Sequence, residues 1–203
     1  MDDTIIYYNT NAIEYYNKTI TAEMSSVYKH FTRLLKSGSC ICDLGCGSGR
    51  DSKYFISQGF TVLPIDGSHE MCRLASELLK QKVNCLEFDD IDYENEFDAI
   101  WACSSLLHIP KSKLSHIIKK LIRSVKNNAV IYTCFKWGNF ERIIDGRFFS
   151  DYTYDEILDF ISKYKCLELI EMWISDDVRS PDERPQWLNI IVRVVKESVK
   201  IFV

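Results

Sequence analysis

The hydrophobic positions of this chain change period several times, and each change marks an element. Residues 9–35 follow a helical repeat in two pieces. In the second piece Met24, Val27, Tyr28, Phe31, Leu34 and Leu35 recur at three- and four-residue spacing, with Thr21 placed to cap it and Gly38 to stop it. Residues 40–44 form a short apolar run that reads as a first strand. Strands and helices then alternate. Helix 50–58 ends at Gly59 and leads to strand 60–65. Helix 70–80 puts Met71, Leu74 and Leu78 on one face and leads to strand 83–88. Strand 97–104 carries Ala99, Ile100, Trp101, Ala102 and Cys103, apolar on both faces, as in a strand covered on both sides. Helix 111–125, strand 129–135 and helix 153–163 follow. The last of these opens with Thr153 and Glu156, the spacing of a capping box. Residues 166–174 and 187–195 are two late strands with no helix between them. Segment 176–186, polar and with two prolines, is their loop.

Alternating strands and helices predict a parallel sheet with helices on both faces. The final pair predicts an antiparallel hairpin at one edge. The expected fold is a single α/β domain over 1–203: a doubly wound, mostly parallel seven-stranded sheet with an antiparallel edge hairpin. Residues 1–37 form an N-terminal helical cap. Such a sheet binds ligands beyond the carboxyl ends of its strands, where strand order reverses.

Charge narrows the partners. With 25 basic and 29 acidic residues the net charge is −4, against a general nucleic-acid binder. The basic residues of 111–126 (Lys111, Lys113, Lys119, Lys120, Arg123 and Lys126) fall at the spacing of a solvated helix face. The first residues are acidic and then polar, unlike a signal peptide, and no apolar run has membrane-spanning length, so a cytoplasmic location is expected. The eight cysteines are scattered with no CxxC pair and read as reduced, mostly buried thiols.

Chemistry concentrates in residues 40–51, CICDLGCGSGRD. A P-loop would need Gly-Lys-Ser/Thr where Gly49 is followed by Arg50 and Asp51. The dinucleotide fingerprint counted from Gly45 meets Arg50 where its third glycine belongs. A radical-type iron–sulfur triplet meets Gly49 where its third cysteine belongs, and a zinc site from Cys40, Cys42 and Cys46 lacks a fourth ligand, so no metal is expected. What remains is Asp43, Gly45, Gly47 and Gly49 at alternate positions straight after a strand. Glycines let the backbone turn and approach a ligand closely. Asp43 can accept hydrogen bonds from an ammonium group or from loop amides. A second acid, Asp66, closes the next strand in VLPIDGS, where a mononucleotide-binding half places the acid that takes ribose hydroxyls.

DLGCGSGRDS, then VLPIDGS, FDDI and FDAIWACSSLLHIP, together resemble the class I S-adenosylmethionine-dependent methyltransferases over about residues 36–135. The arrangement around GSGRDS is similar to the small single-domain bacterial members, including those like tellurite-resistance and thiopurine methyltransferases. The resemblance implies S-adenosyl-L-methionine as cofactor. Asp43 and the loop Gly45, Cys46, Gly47 and Gly49 would hold its methionine moiety. Asp66 would bind the ribose, with Gly67 leaving the adenine pocket loose on that side. Asp90, or Asp89 beside it, would meet the adenine amino group, with Ile91 packing near the ring. Ser104 and Ser105 would line the sulfonium end. Arg50 reads either as a contact to the cofactor carboxylate or as a partner of Asp51. The turn before the fifth strand is Lys126-Asn127-Asn128, where the family often has Pro-Gly-Gly, and Asn tolerates the left-handed backbone needed there.

Methyl transfer is an in-line displacement, so the remaining residues of interest are those that align the acceptor. His108, after the fourth strand, reads as a base or acceptor contact, or as a loop histidine bonded to backbone. Lys136, at the end of the fifth strand, reads as a partner for an acidic acceptor or as a solvated lysine. Arg147, in the cap-like segment GRFFSDY, reads as an anion contact or as a salt bridge to Asp145 or Asp151. Tyr7, Tyr8, Tyr15 and Tyr16 suit a lid or packing against the sheet. In the last loop and strand, Asp177, Arg179, Arg184, Trp187 and Asn189 are further candidates, with Asn189 needing a polar partner. The expected acceptor is a small molecule. An RNA- or protein-directed methyltransferase and a non-catalytic cofactor-binding subunit are the alternatives.

Overall fold

The computed structural model describes residues 3–178 and 186–196. Strands β1 (Cys40–Leu44), β2 (Thr61–Asp66), β3 (Asn84–Cys85), β4 (Phe97–Ala102), β5 (Val125–Lys136), β8 (Leu167–Asp176) and β9 (Gln186–Val194) form one seven-stranded sheet in the order β3-β2-β1-β4-β5-β9-β8. The first five run parallel, and β9 lies antiparallel to both β5 and β8. Strand order therefore reverses between β1 and β4, and the edge hairpin sits where the late strands predict it. Arg179 and Arg184 lie outside the described residues.

Helices α4 (Arg50–Ser57), α5 (His69–Leu79), α6 (Lys111–Ser124) and α7 (Tyr154–Ser162) connect the strands. The crossovers through α4 and α5 move the chain one way along the sheet, and the one through α6 moves it the other way. With right-handed crossovers, α6 lies on the face opposite α4 and α5. The capping box on α7 forms as expected: Thr153 Oγ1 accepts from the Glu156 amide at 3.3 Å, and the Thr153 amide donates to the Glu156 carboxylate at 2.9 Å. The core gathers aromatic rings from both layers. Trp101 of β4 stacks on Tyr132 of β5 with centroids 4.0 Å apart, and Phe31 and Phe55 pack onto Trp101. All four are fully buried. Each such side chain contributes on the order of 1.5–3 kcal/mol of hydrophobic burial.

The N-terminal region differs from the two-piece expectation. It holds three helices, α1 (Asp3–Thr10), α2 (Ala12–Thr19) and α3 (Ser25–Thr32). A turn closed by the Ala22 amide on the Thr19 carbonyl separates α2 from α3. The cap position of α3 is Met24, with no side-chain bond, and the Ser25 amide is satisfied by Glu23 at 2.7 Å, so Thr21 is not the cap. Phe31 and Tyr28 commit α3 to the sheet's core, whereas α1 and α2 lie over the sheet's carboxyl end, where Tyr8 and Tyr15 reach a cavity.

Other boundaries shift for identifiable reasons. β3 has two residues instead of the six of 83–88, because the chain leaves this edge for a 3-10 turn over Phe88–Asp90 that folds Ile91 into the core. β4 stops at Ala102, two residues early, as Ser104 takes a left-handed backbone at φ 54°. Lys126-Asn127-Asn128 is not a turn before β5 but a bulge within it: Phe97 pairs with Val125 and Ala99 with Val130, with Asn128 at φ 65° absorbing the excess. The segment around Arg147 is a two-stranded hairpin, β6 (Glu141–Ile144) and β7 (Arg147–Ser150), closed by Asp145-Gly146 at φ 51° and 78°. Two positive φ values define the turn type that best matches strand twist.

Candidate functional site

A cavity of about 180 Å³ opens beyond the carboxyl ends of β1 and β4, where strand order reverses. Gly45 and Gly47 from the loop after β1, Asp66 at the end of β2, and Ser104 and Ser105 after β4 form one side. Ile5 and Tyr8 of α1 and Tyr15 of α2 form the roof.

The glycine loop is fixed from both sides. Gly45 sits at φ 75°, and a Cβ built there would lie 2.4 Å from Ser105 Cβ, so the loop after β1 packs directly on the Ser105 side chain. Gly47, at φ 53°, has open space beside it: its nearest neighbours would be Tyr15 at 3.7 Å and Met71 at 3.9 Å across the cavity. Its amide donates to Asp66 Oδ2 at 2.8 Å, while Asp66 Oδ1 accepts from the Ser68 amide at 2.8 Å. A carboxylate has about four acceptor sites, so Asp66 holds the loop and keeps acceptor capacity for a ligand. Burial raises the Asp66 pKa, opposed by the amides of Ser68, Gly47 and Gly67.

Asp43 lies beneath the loop, outside the cavity walls, and accepts from Ser52 Oγ at 2.6 Å. Its neighbour Asp51 collects stronger donors: both sides of the Arg50 guanidinium (2.6 and 3.0 Å), the Tyr28 hydroxyl (2.5 Å) and Trp101 Nε1 (2.8 Å). The donors decide which acid keeps its charge. Burial, offset by the Arg50 charge and hydrogen bonds, leaves Asp51 below the usual carboxylate range. Burial and the Asp51 charge push Asp43 up to about 8. The structure thus takes the Asp51 alternative for Arg50, which lines a second, smaller cavity rather than the main one.

At the other end of the main cavity, His108 Nδ1 lies 2.6 Å from the Phe148 carbonyl and Nε2 lies 2.9 Å from the Tyr8 hydroxyl. A carbonyl only accepts, so Nδ1 carries the proton, and in the neutral ring Nε2 accepts from Tyr8. Burial, with Tyr15 beside it, raises the Tyr8 pKa well above the usual phenol value, which keeps this donor protonated. The charge of Arg147 acts against that rise. Its guanidinium packs 4.4 Å from the Tyr7 ring centroid and pairs with Asp145 at 3.6 Å. Lys136 sits 4.3 Å over the Phe149 ring. Neither Arg147 nor Lys136 lines the cavity; both cations lie against aromatic rings instead.

The remaining candidates divide. Asp89, Ser104 and Ser105 line the cavity. Asp90 does not, and Phe88 takes the place expected of Ile91, which the 3-10 turn buries. Cys46 points away, packing with Cys72, Ala75 and Val83. Gly49 permits close packing on α5, where an added Cβ would meet Ala75 at 3.1 Å. The gap left by Gly67 is filled by Ile5, 3.2 Å from where a Cβ would stand. Asn189 is satisfied by the Tyr132 hydroxyl at 2.8 Å and Ser175 at 2.9 Å. The hairpin that carries Phe148 was legible: Ile143-Ile144-Asp145-Gly146 is a strand followed by a turn dipeptide. Nothing local signals the roof residues Thr4 and Ile5.

Residues 41–128 match the family described as methyltransferase domain. Over that segment the chain resembles a methyltransferase domain. The matched segment runs from β1 through the glycine loop, Asp66, Asp89 and His108 into β5. A search of curated proteins finds no sequence match. Solved structures share the fold at low identity. A methyltransferase from Methanosarcina mazei is 20% identical, with a TM-score of 0.71 over 84% of this chain and 99% of the other. The 1,6-didemethyltoxoflavin-N1-methyltransferase of Burkholderia thailandensis, solved with that compound and S-adenosylhomocysteine, is 16% identical, with a TM-score of 0.74 over 94% and 85%. A chain from the Haloferax volcanii complex of the Trm112 methyltransferase activator with a methyltransferase is 14% identical, with a TM-score of 0.76 over 97% and 100%.

The cavity's own features fit S-adenosylmethionine. Its glycine cradle at Gly47 is one a side chain would fill, Asp66 offers acceptors to a diol, and the buried Ser105 hydroxyl has no hydrogen-bond partner among the described residues. Asp66, Asp89, Gly47 and Ser104 are the residues placed to hold it. Among the described residues, no helix is long and apolar enough to cross a membrane.

Proposed function

We propose that this protein is an S-adenosylmethionine-dependent methyltransferase that acts on a small molecule, received at the His108 end of the cavity. The observation that carries this reading is the roof. α1 and α2 cover the cavity with Tyr8 and Tyr15, and Tyr8 is tied to His108, leaving a chamber of about 180 Å³, a size that suits a small molecule. The basic helix supports the same reading. Lys111 pairs with Glu156, Arg123 with Asp92 and Glu94, and Lys126 with Asp98, so much of its charge is neutralised within the protein. The toxoflavin-precursor enzyme that shares the fold also takes a small acceptor.

S-adenosylmethionine, when bound, supplies an electrophilic methyl group on a sulfonium. The chain's own residues do the rest. Asp66 fixes the loop and receives the ribose hydroxyls. The roof excludes water from the reacting centre, which strengthens every polar contact inside it. Tyr8 orients the His108 ring. Nε2 of His108 is placed to take a proton from the acceptor once that acceptor displaces Tyr8.

The test is transfer of labelled methyl from S-adenosylmethionine to fractionated cell extract. Label in the small-molecule fraction is expected. Label in RNA or protein, with none in small molecules, overturns the reading.

A further inference from the structure

Eight cysteines occur in this chain, and two of them meet at the wall between its two cavities. Ala102 of β4 pairs with Thr133 of β5, so Cys103 and Cys134 are the next rung of the same parallel ladder. Adjacent strands run about 4.8 Å apart, inside the roughly 4.4–6.8 Å Cα separation that disulfides span. Both sulfurs also converge on one residue. Cys134 Sγ accepts from the Ser104 amide at 3.2 Å and lies 3.6 Å from the Ser104 hydroxyl, while Cys103 Sγ lies 3.9 Å from that hydroxyl.

We infer that Cys103 and Cys134 form a dithiol that small hydroperoxides convert to a disulfide, and that this disulfide switches off cofactor binding.

The pair is reachable. Both cysteines line the second cavity, about 70 Å³, and Cys103 also lines the main one. Hydrogen peroxide is little larger than water, which needs about 10–15 Å³. The pair is also chemically distinct. The Ser104 amide donates to Cys134 Sγ, and with the neighbouring Cys103 thiol and Ser104 hydroxyl it holds the Cys134 thiol below the usual range, while that of Cys103 is raised. Cys42, Cys46 and Cys72 are pushed up by burial and by nearby aspartates. The thiolate is the form that attacks peroxide.

The chemistry balances. The Cys134 thiolate attacks one peroxide oxygen, the O–O bond breaks, and hydroxide leaves to take up a proton as water. The product is a sulfenic acid at Cys134. The Cys103 sulfur then attacks the Cys134 sulfur, the S–O bond breaks, and the departing hydroxide takes the Cys103 proton as a second water. Two thiols have lost two electrons to one peroxide.

The consequence follows from Ser104. Its left-handed backbone, at φ 54°, is held by its amide bond to Cys134 Sγ. A non-glycine residue there is strained, so moving that sulfur to bond Cys103 removes the restraint. Ser104 and Ser105 line the cofactor cavity, and Ser105 contacts the glycine loop at Gly45. The change is thereby delivered to the cofactor's cradle.

The experiment treats the full chain with hydrogen peroxide, then maps disulfides by mass spectrometry and titrates S-adenosylhomocysteine by calorimetry, with and without dithiothreitol. A Cys103–Cys134 disulfide is expected, with at least a tenfold loss of affinity that dithiothreitol restores. Cys134→Ser and Cys103→Ala, each compared with its own untreated sample, should lose this sensitivity to peroxide. Three results overturn the inference: no disulfide between these residues, a disulfide mapping to the neighbouring Cys72 and Cys85 instead, or a Cys103–Cys134 disulfide with unchanged affinity. The mapping is independent of any ligand, so it separates this inference from the reading of the acceptor.

Discussion

The Tyr8 hydroxyl, on the first helix of the chain, reaches 2.9 Å from His108 Nε2, one hundred residues later and on the opposite wall of the cavity. The bond ties the roof to the site beneath it. Removing the hydroxyl should therefore loosen the roof and misorient the ring together. Tyr8→Phe is expected to lower kcat by about tenfold or more, in line with the 10²–10⁴-fold usual for positioned proton transfer, while S-adenosylhomocysteine affinity stays within a few-fold. His108→Ala should lower kcat at least as far. Steady-state kinetics on the identified acceptor decide it, and full turnover in both variants would return His108 to a packing role.

Asp66 has two duties, and its replacement should show both. Asp66→Ala removes the acceptor for the Gly47 and Ser68 amides as well as the contact to the ribose. Cofactor affinity should fall by about 1–3 kcal/mol, the range for charge-assisted hydrogen bonds, with the fold retained in circular dichroism. Unchanged calorimetric affinity would remove Asp66 from the site.

Two glycines of one loop should fail in different ways. At Gly45 an added methyl meets Ser105 Cβ at 2.4 Å, part of a packed loop with no room to yield, so Gly45→Ala should destabilise the fold and lower Tm. Gly45→Ala with Ser105→Gly should recover part of that loss. At Gly47 the nearest atoms lie 3.7 Å away or more, so Gly47→Val meets no clash; the φ of 53° strains a β-branched residue and lowers Tm to a lesser extent, and the main loss should be of cofactor binding. Thermal melts read beside binding titrations separate the two.

The buried pair of acids gives the protein a specific pH response. Asp43 has a folded pKa of about 8, above its unfolded value of about 3.9. A raised pKa means that folding binds a proton, so the stability from this group is full below pH 4 and is lost as pH rises towards 8. Asp43→Asn keeps a group that can accept from Ser52 and abolishes the titration. The variant's Tm relative to the parent should rise steadily from pH 5 to pH 8. A constant difference across that window would mean that Asp43 is ionised throughout.

Much of this fold can be read along the chain because it depends on near neighbours. The alternation of apolar runs with amphipathic helices, the capping box at Thr153 and Glu156, and the spacing of Asp43, the glycines and Asp66 each arise within a few turns of backbone. The glycine loop and the acid on the next strand are therefore legible without tertiary structure, as is the antiparallel hairpin β8–β9. The Asp145-Gly146 turn is equally local, between two strands of four residues each. Competition for partners is decided differently. Arg50 belongs to Asp51 because Tyr28 and Trp101, from α3 and β4, complete a buried ring of donors around that carboxylate. Ile91 lies in the core because β3 ends after two residues. Tyr8 meets His108, and Cys103 meets Cys134, only once the helices and strands that carry them have packed. Sequence sets what each segment can form alone, through steric preference and hydrophobic period. Which polar atoms find one another across a hundred residues is set by the free energy of burying them, and only the assembled sheet and its roof determine that.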